Sequence, residues 1–329
     1  MQAIVLVGGE GTRLRPLTTD VPKPALTLVD RPFLAYMVEW LGAHGVSEVV
    51  LACGFLPGVL QEALGEGEHE GVRLRYVVEP ERRGTAGAIR FAADELGDDL
   101  GERFLVLNGD VLTDLDLTAL IRTHEELEAR ATLALYPVED AGAYGLVSVD
   151  SDGWVGEFVE KTGEPIPGEV NAGAYYLERS VLELIPPGRE VSIEREVFPR
   201  LVGDGLAAQR LEGYWMDIGT PERYLQATWD ILEGRVETEV RPSAPGLLIA
   251  PGAEIDAGAT VGPRIVASPG CVIAAGAEVR DSVLLEGCVV GEGARVSGSV
   301  LAPGARVEAG AELADAIVGR NERVSGSAR

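Results

Sequence analysis

Residues 3–24 read Ala-Ile-Val-Leu-Val-Gly-Gly-Glu-Gly-Thr-Arg-Leu-Arg-Pro-Leu-Thr-Thr-Asp-Val-Pro-Lys-Pro. The apolar run Ala3 to Val7 followed by a glycine-rich stretch predicts a first β-strand that opens, at its C-terminal end, into a loop. Glycine there lets backbone N–H groups come close to an anion, and Arg13 and Lys23 add positive charge. Pro22 and Pro24 hold the backbone around Lys23 and so hold its ammonium in place. The run contains neither Gly-x-Gly-x-x-Gly nor Gly-Lys-Ser/Thr, so it is not a dinucleotide fingerprint or a P-loop. Lysine occurs only at positions 23 and 161. A chain that otherwise writes its basic positions as Arg uses, at those two, a compact ammonium suited to meeting a phosphate.

Outward from that loop, residues 1–235 alternate strand-like and helix-like stretches. Strands are expected at Ala3–Val7, Glu48–Cys53, Leu74–Val78, Phe104–Leu107, Thr132–Tyr136 and Gly173–Leu177. Helices are expected at Pro32–His44, Thr85–Leu96, Leu117–Ala129, Ile193–Val202 and Pro221–Leu232. This order implies βαβ units: an α/β, Rossmann-like, mostly parallel sheet with helices on both faces, and a ligand crevice at the strands' C-terminal ends. The first loop and Asn108-Gly109-Asp110 would both open at that edge.

The pattern changes after about residue 243. Aliphatic residues recur every six positions, as in Ile249, Ile255, Val261, then Ile273, Val279, then Leu284, Val290, Val296, then Leu301, Val307, Leu313, with Gly-Ala pairs between them. Such a repeat predicts a left-handed parallel β-helix over residues 243–320, with about four coils of roughly 18 residues each. Residues 321–329 are left as a C-terminal tail.

Composition bounds the rest. A chain of 329 residues, 46% hydrophobic, is long enough for two domains with a sizeable core. No stretch is long and apolar enough to span a membrane. Three scattered cysteines exclude a disulfide framework and point to a reducing cytoplasm, where they serve as small buried hydrophobes. The net charge of −25 speaks against nucleic-acid and anionic-membrane partners. A polyphosphate ligand would therefore need a locally positive or metal-neutralised pocket, for which Arg13, Arg15, Lys23 and Lys161 are the candidates.

Taken together with the Pro-Lys-Pro element, the glycine loop resembles that of the sugar-nucleotide pyrophosphorylases, nucleotidyltransferases that join a nucleoside triphosphate to a sugar 1-phosphate. The resemblance spans the chain. Asn108-Gly109-Asp110 resembles the family's metal-binding aspartate loop, and Phe158-Val159-Glu160-Lys161 its sugar-phosphate segment. Asn171-Ala172-Gly173 is similar to the sugar-binding turn, and Tyr214-Trp215-Met216-Asp217-Ile218-Gly219-Thr220-Pro221 to the second metal loop. The hexapeptide repeats, Gly84-Thr85-Ala86-Gly87 and Ser192-Ile193-Glu194-Arg195-Glu196 lean towards the guanylyltransferase branch that acts on mannose 1-phosphate. One departure is Thr162, where the family often carries Pro after Glu-Lys.

The resemblance implies catalytic roles for Arg13, Lys23, Asp110, Lys161 and Asp217, with Mg²⁺ held by Asp110 and Asp217. It implies a nucleotide site of Leu6, Gly8, Gly9, Gly11, Thr12, Arg13, Glu79, Gly84, Thr85, Ala86 and Asn108. It implies a sugar-phosphate site of Gly145, Glu160, Lys161, Asn171, Gly173 and Trp215. The chemistry is consistent with this. Displacement at the α-phosphorus brings two polyanions to one centre, so the work is charge neutralisation and in-line positioning. Two carboxylates can hold Mg²⁺ against phosphate oxygens, and a guanidinium can fork onto two of them. Residue by residue there are duller roles. Asn108-Gly109-Asp110 alone is a turn with a helix cap, Asp217 alone an N-cap for the helix near Pro221, and Lys161 alone a solvated surface lysine.

Guanine presents N1–H and N2–H₂ side by side, and a carboxylate such as Glu79 can accept both. Mannose rests on the resemblance; glucose or heptose 1-phosphate, and a thymidylyl or uridylyl donor, would suit the same residues. Two other functions compete. A hexapeptide acyltransferase needs a histidine base, yet His44, His69 and His124 all lie in the first half. A silent regulatory subunit that binds sugar nucleotide would not need the charged set retained here. Partners are thus small-molecule substrates and a second copy of the chain, joined through the β-helix.

Overall fold

The computed structural model describes the chain apart from Glu66, Ala143, Lys161, Thr162, Glu164, Pro165 and Arg329. It forms two compact units whose boundary does not follow chain order. One comprises Met1–Gly9 and Leu34–Trp215, the other Glu10–Phe33 and Met216–Arg329. The boundary falls inside the glycine-rich loop.

The first unit is built on a mixed sheet. Its main strands are β1 (Gln2–Val7), β2 (Glu48–Cys53), β3 (Val72–Val78), β4 (Arg103–Asn108), β5 (Ala131–Val138), β6 (Gly145–Val149), β7 (Val155–Glu160), β8 (Gly168–Glu178) and β9 (Leu206–Arg210). The order runs β7-β6-β8-β4-β1-β2-β3, with the short strand Glu68–His69 at the edge and β5 lying against both β8 and β9. β1 pairs in parallel with β2 and β4. A central parallel strand is covered on both faces, which is why it reads as an unbroken apolar run; Ala3, Ile4 and Val5 are fully buried. In that register Leu6 lies beside Asn108, which brings the ends of both strands, and the loops that follow them, to one edge.

The sheet departs from the parallel expectation where β8 enters antiparallel between β4 and β6. The expected strand Gly173–Leu177 is the second half of this longer element, and β6 and β7 form an antiparallel hairpin absent from the sequence reading. The helix Pro57–Leu64 was also not anticipated. Only Leu60 and Leu64 of it are buried, and Gly58 and Gly65 make the stretch read as a loop. The expected helix Ile193–Val202 is instead a π-turn, Ile193–Val197, running into a short α-helix, Phe198–Leu201.

In the second unit, the helix Pro221–Leu232 is followed by a β-helix. Its strands stack in three parallel five-stranded sheets, so there are five coils rather than about four. Leu247 aligns with Ile265, and Val283 with Val300, giving steps of 18 and 17 residues. The aliphatic residues of the repeat, Ile273, Val279, Leu284, Val290, Val296, Leu301, Val307 and Leu313, fill the interior. The fifth coil takes in Arg323–Val324 and Ser327–Ala328, residues expected as tail. Cys271 and Cys288 are buried in the same interior. No helix among the described residues is long and apolar enough to cross a membrane.

Candidate functional site

In the first unit the loops after β1, β3 and β4 carry Gly8 and Gly9, Glu79, and Gly109 and Asp110, with Asn108 ending β4. The Gly109 N–H donates to the Leu6 carbonyl at 3.0 Å. A side chain at 109 would stand 2.6 Å from Val7 Cγ1, so the aspartate loop sits tightly on the first strand. Glu79 lies across from Gly8, its Oε1 3.7 Å from where a Cβ would be. Burial pushes the Glu79 carboxyl above its ordinary range, while the nearby Arg83 backbone and charge pull it back. The thiol of the adjoining Cys53, whose carbonyl accepts the Glu79 N–H at 2.8 Å, is pushed up to about 12 by burial and by the Glu79 charge. It is no nucleophile at neutral pH.

The segment Gly84–Ala86 is tied to the π-turn and to Val191 just before it. The Thr85 hydroxyl accepts from Ile193 N and donates to Glu194 Oε2, each at 2.8 Å. The Ala86 N–H donates to the Val191 carbonyl at 2.9 Å. These groups are committed within the protein, so Thr85 and Ala86 shape the start of their helix.

Of the residues expected to meet the sugar phosphate, Asn171 and Gly173 lie on β8. The Asn171 side chain accepts from Gly173 N and donates to Tyr175 OH, both at 2.9 Å. Gly173 has φ +75°, and a Cβ there would lie 2.7 Å from Asn108 Nδ2. Only glycine takes that turn beside Asn108 without strain. The Trp215 indole donates to the Ala172 carbonyl at 2.8 Å, stacks on Tyr136 and meets Tyr144 edge-on. This makes an aromatic wall next to the turn. Gly145 pairs across the hairpin with Glu160; the side chain of Glu160 and all of Lys161 lie outside the described residues.

In the second unit Arg13, Lys23 and Asp217 come together. A 3₁₀ turn, Thr12–Leu14, follows Gly11, and the Gly11 carbonyl accepts the Thr18 hydroxyl at 2.8 Å. Lys23 is a nearly buried lysine whose Nζ lies 3.6 Å from Asp217 Oδ1. Arg223 reaches Asp217 Oδ2 at 3.1 Å. A Cβ on Gly219 would stand 2.7 Å from Arg13 Nη2 and 3.1 Å from Asp217 Oδ1, so the guanidinium of Arg13 passes directly over Gly219. Asp217 Oδ1 is buried and accepts no hydrogen bond among the described residues. The capping role open to Asp217 belongs instead to Thr220, whose side chain accepts from Arg223 N.

Sequence reasoning missed Arg223, Tyr136 and Tyr144. Arg223 could have been found from its place in the first turn of the helix that follows the second aspartate loop. The two tyrosines carry no local signal.

Residues 2–234 match the family model described as Nucleotidyl transferase, and residues 244–329 match the GMPPB C-terminal domain. The mannose-1-phosphate guanylyltransferase of Mycobacterium tuberculosis is 39% identical over 279 residues, covering 80% of this chain and 77% of that protein. The mannose-1-phosphate guanyltransferase of Schizosaccharomyces pombe is 40% identical over 268 residues, covering 80% and 73%. HddC from Yersinia pseudotuberculosis, solved in complex with GMP-PN, superposes with a TM-score of 0.61 at 29% identity, covering 70% of this chain and 99% of that one.

Proposed function

The chain belongs to the nucleotidyl transferase family, and from that premise we propose that it transfers the guanylyl group of GTP to mannose 1-phosphate, releasing pyrophosphate. The observation that carries this reading is the environment of Asp217. A buried carboxylate oxygen without a hydrogen-bond donor faces the Lys23 ammonium, with Arg13 alongside. The names of the curated relatives support the base and the sugar.

A phosphate oxygen of the sugar phosphate forms its bond to the α-phosphorus as the bond to the bridging oxygen breaks, and that electron pair leaves on pyrophosphate. The attacking group is already ionised, so no Ser, Cys or His nucleophile is required. Arg13 forks onto the β- and γ-phosphates, Lys23 balances charge at the α-phosphate, and Lys161 holds the phosphate of the sugar. Asn171, Gly173 and Trp215 orient the sugar, and Glu79 reads the guanine edge.

Asp110 and Asp217 would hold Mg²⁺. Oxygen donors suit it, and the unbonded Asp217 Oδ1 fits a cation better than a hydrogen bond. When bound, the cation supplies neutralising charge at the phosphate oxygens. Self-association through the β-helix belongs to the same reading, supported by the half-buried Leu247, Ile249, Ile255 and Val261 of the first coil.

The test is pyrophosphate release with Mg²⁺, mannose 1-phosphate and each NTP in turn. GTP should react fastest. No release with any NTP and several sugar phosphates would favour a silent regulatory subunit. Glu79→Gln should weaken GTP use more than UTP or dTTP use, and equal losses would remove Glu79 from base reading. Because burial raises the Glu79 pKa, its carboxylate is lost at a higher pH than an ordinary one. The GTP preference of the unmodified protein should therefore decline as pH falls, whereas that of Glu79→Gln stays flat. Lys161→Ala should raise KM for the sugar phosphate far more than for the NTP. The opposite selectivity would mean that the two lysines exchange duties.

A further inference from the structure

The corner that follows the first strand of each β-helix coil forms a column: Ala250, Ser268, Leu285, Ala302 and Gly319. In the first four, the backbone N–H donates to the next coil, to the carbonyls of Ala267, Leu284, Leu301 and Val318 respectively. The fifth coil is the last among the described residues. Its Gly319 N–H donates instead to Glu322 Oε2 at 2.7 Å, and Glu322 N returns a bond to the Gly319 carbonyl at 3.1 Å. The corner is thus closed by a carboxylate, where the other four are closed by a backbone carbonyl of the next coil.

Gly319 is also the one member of the column without a side chain, and it is buried although it lies in the last coil. A Cβ at Gly319 would meet Glu322 Oε2 first, at 3.0 Å, and would stand in ordinary contact with the ring of Pro16, whose Cβ and Cγ are each 3.5 Å away. Pro16 sits in the middle of the glycine-rich loop, three residues after Arg13. Both residues lie within the second unit, which groups loop residues 10–33 with 216–329. The loop has other ties in that unit, with Tyr224 OH donating to the Thr27 carbonyl and Lys23 facing Asp217. Pro16 on Gly319 ties it to the β-helix.

We propose that the Gly319–Glu322 corner of the last coil is a positioning element for the phosphate-binding loop. Gly319 leaves room for Glu322 to close the corner and for Pro16 to rest on it, so that a side chain longer than a methyl at 319 would press on both. Arg13 and Lys23 flank that contact in sequence, so a shift of Pro16 moves both. This rests on the nucleotidyl-transfer reading for its kinetic readout, but not for its structural one.

The experiment compares Gly319→Leu and Glu322→Ala with the unmodified chain. It measures KM for GTP and for mannose 1-phosphate, the thermal midpoint, and amide hydrogen exchange over residues 11–19. Gly319→Leu puts a side chain where the proline ring lies. It should raise KM for GTP about tenfold, as a loop displaced by a fraction of an ångström would. KM for the sugar phosphate should stay near its starting value, and exchange at Leu14 and Leu17 should quicken. Adding Pro16→Ala to Gly319→Leu should recover part of the GTP effect beyond what the single changes predict. Glu322→Ala adds no volume and keeps the proposal testable should Gly319→Leu fail to fold; it should quicken exchange over the same loop. Unchanged loop exchange in both variants, or additive behaviour in the double variant, would overturn the brace. If the unmodified chain turns over no NTP, the functional reading fails, and exchange alone still decides the brace.

Discussion

Asp110→Ala should lower kcat by about 10²–10³, the scale seen when one charge-stabilising group is removed from a transition state. The position of Asp110 makes the expectation sharp. Gly109 before it is hydrogen-bonded to Leu6 and has no room for a side chain against Val7. Asn108 is in register with Leu6 and touches Gly173. The backbone is therefore set by the central strand of the sheet, and the carboxylate is delivered by a rigid turn. Asp110→Asn keeps the shape and removes the charge, so it should lose nearly as much. Steady-state pyrophosphate release over a Mg²⁺ titration reads both. A near-normal rate in either variant would reduce Asp110 to a turn residue.

Lys23→Arg should lower kcat/KM by about 10²-fold, the cost of a displacement near 1 Å in a positioned group, despite preserving the charge. Its Cβ stands 3.1 Å from where a side chain on Gly11 would begin, and its ammonium faces Asp217 Oδ1 at 3.6 Å within a nearly buried pocket. A planar guanidinium is bulkier and presents its donors in a fixed fork. Arg13 and Arg223 already lie around the same aspartate, so a third fork has no place. Lys23→Ala should lose at least as much and also lower the thermal midpoint, because Asp217 then keeps one partner fewer in a partly buried setting. Full activity in Lys23→Arg would show that any cation serves and that the choice of lysine at this position has no mechanistic meaning.

Much of this was legible in the chain. Ala3–Val7 reads as a central strand because a parallel strand buried on both faces must be apolar throughout. The six-residue aliphatic period writes the β-helix directly, since each coil places one inward residue on each of three faces. The error there was in extent: Arg323–Val324 and Ser327–Ala328 complete a fifth coil, where the aliphatic period fades and the residues read as tail. The antiparallel hairpin β6–β7 and the π-turn at Ile193–Val197 were not legible. Strand direction and helix pitch are settled by what the segment packs against, and that is not written in the segment.

The sequence by itself determined the class of the fold, the two aspartate loops, the glycine-rich loop with its lysine, and thereby the chemistry of phosphate. Periodicity and loop composition are local properties, and local sterics and burial enforce them. Only the tertiary structure decided which of these groups share a compact unit. It set Arg13 and Lys23 with Asp217, added Arg223 to them, gave the helix cap to Thr220, and built an aromatic wall of Tyr136 and Tyr144 around Trp215. Those contacts join residues far apart in the chain. They exist only after the backbone has closed its loops and the side chains have been packed against one another, so no window of sequence contains them.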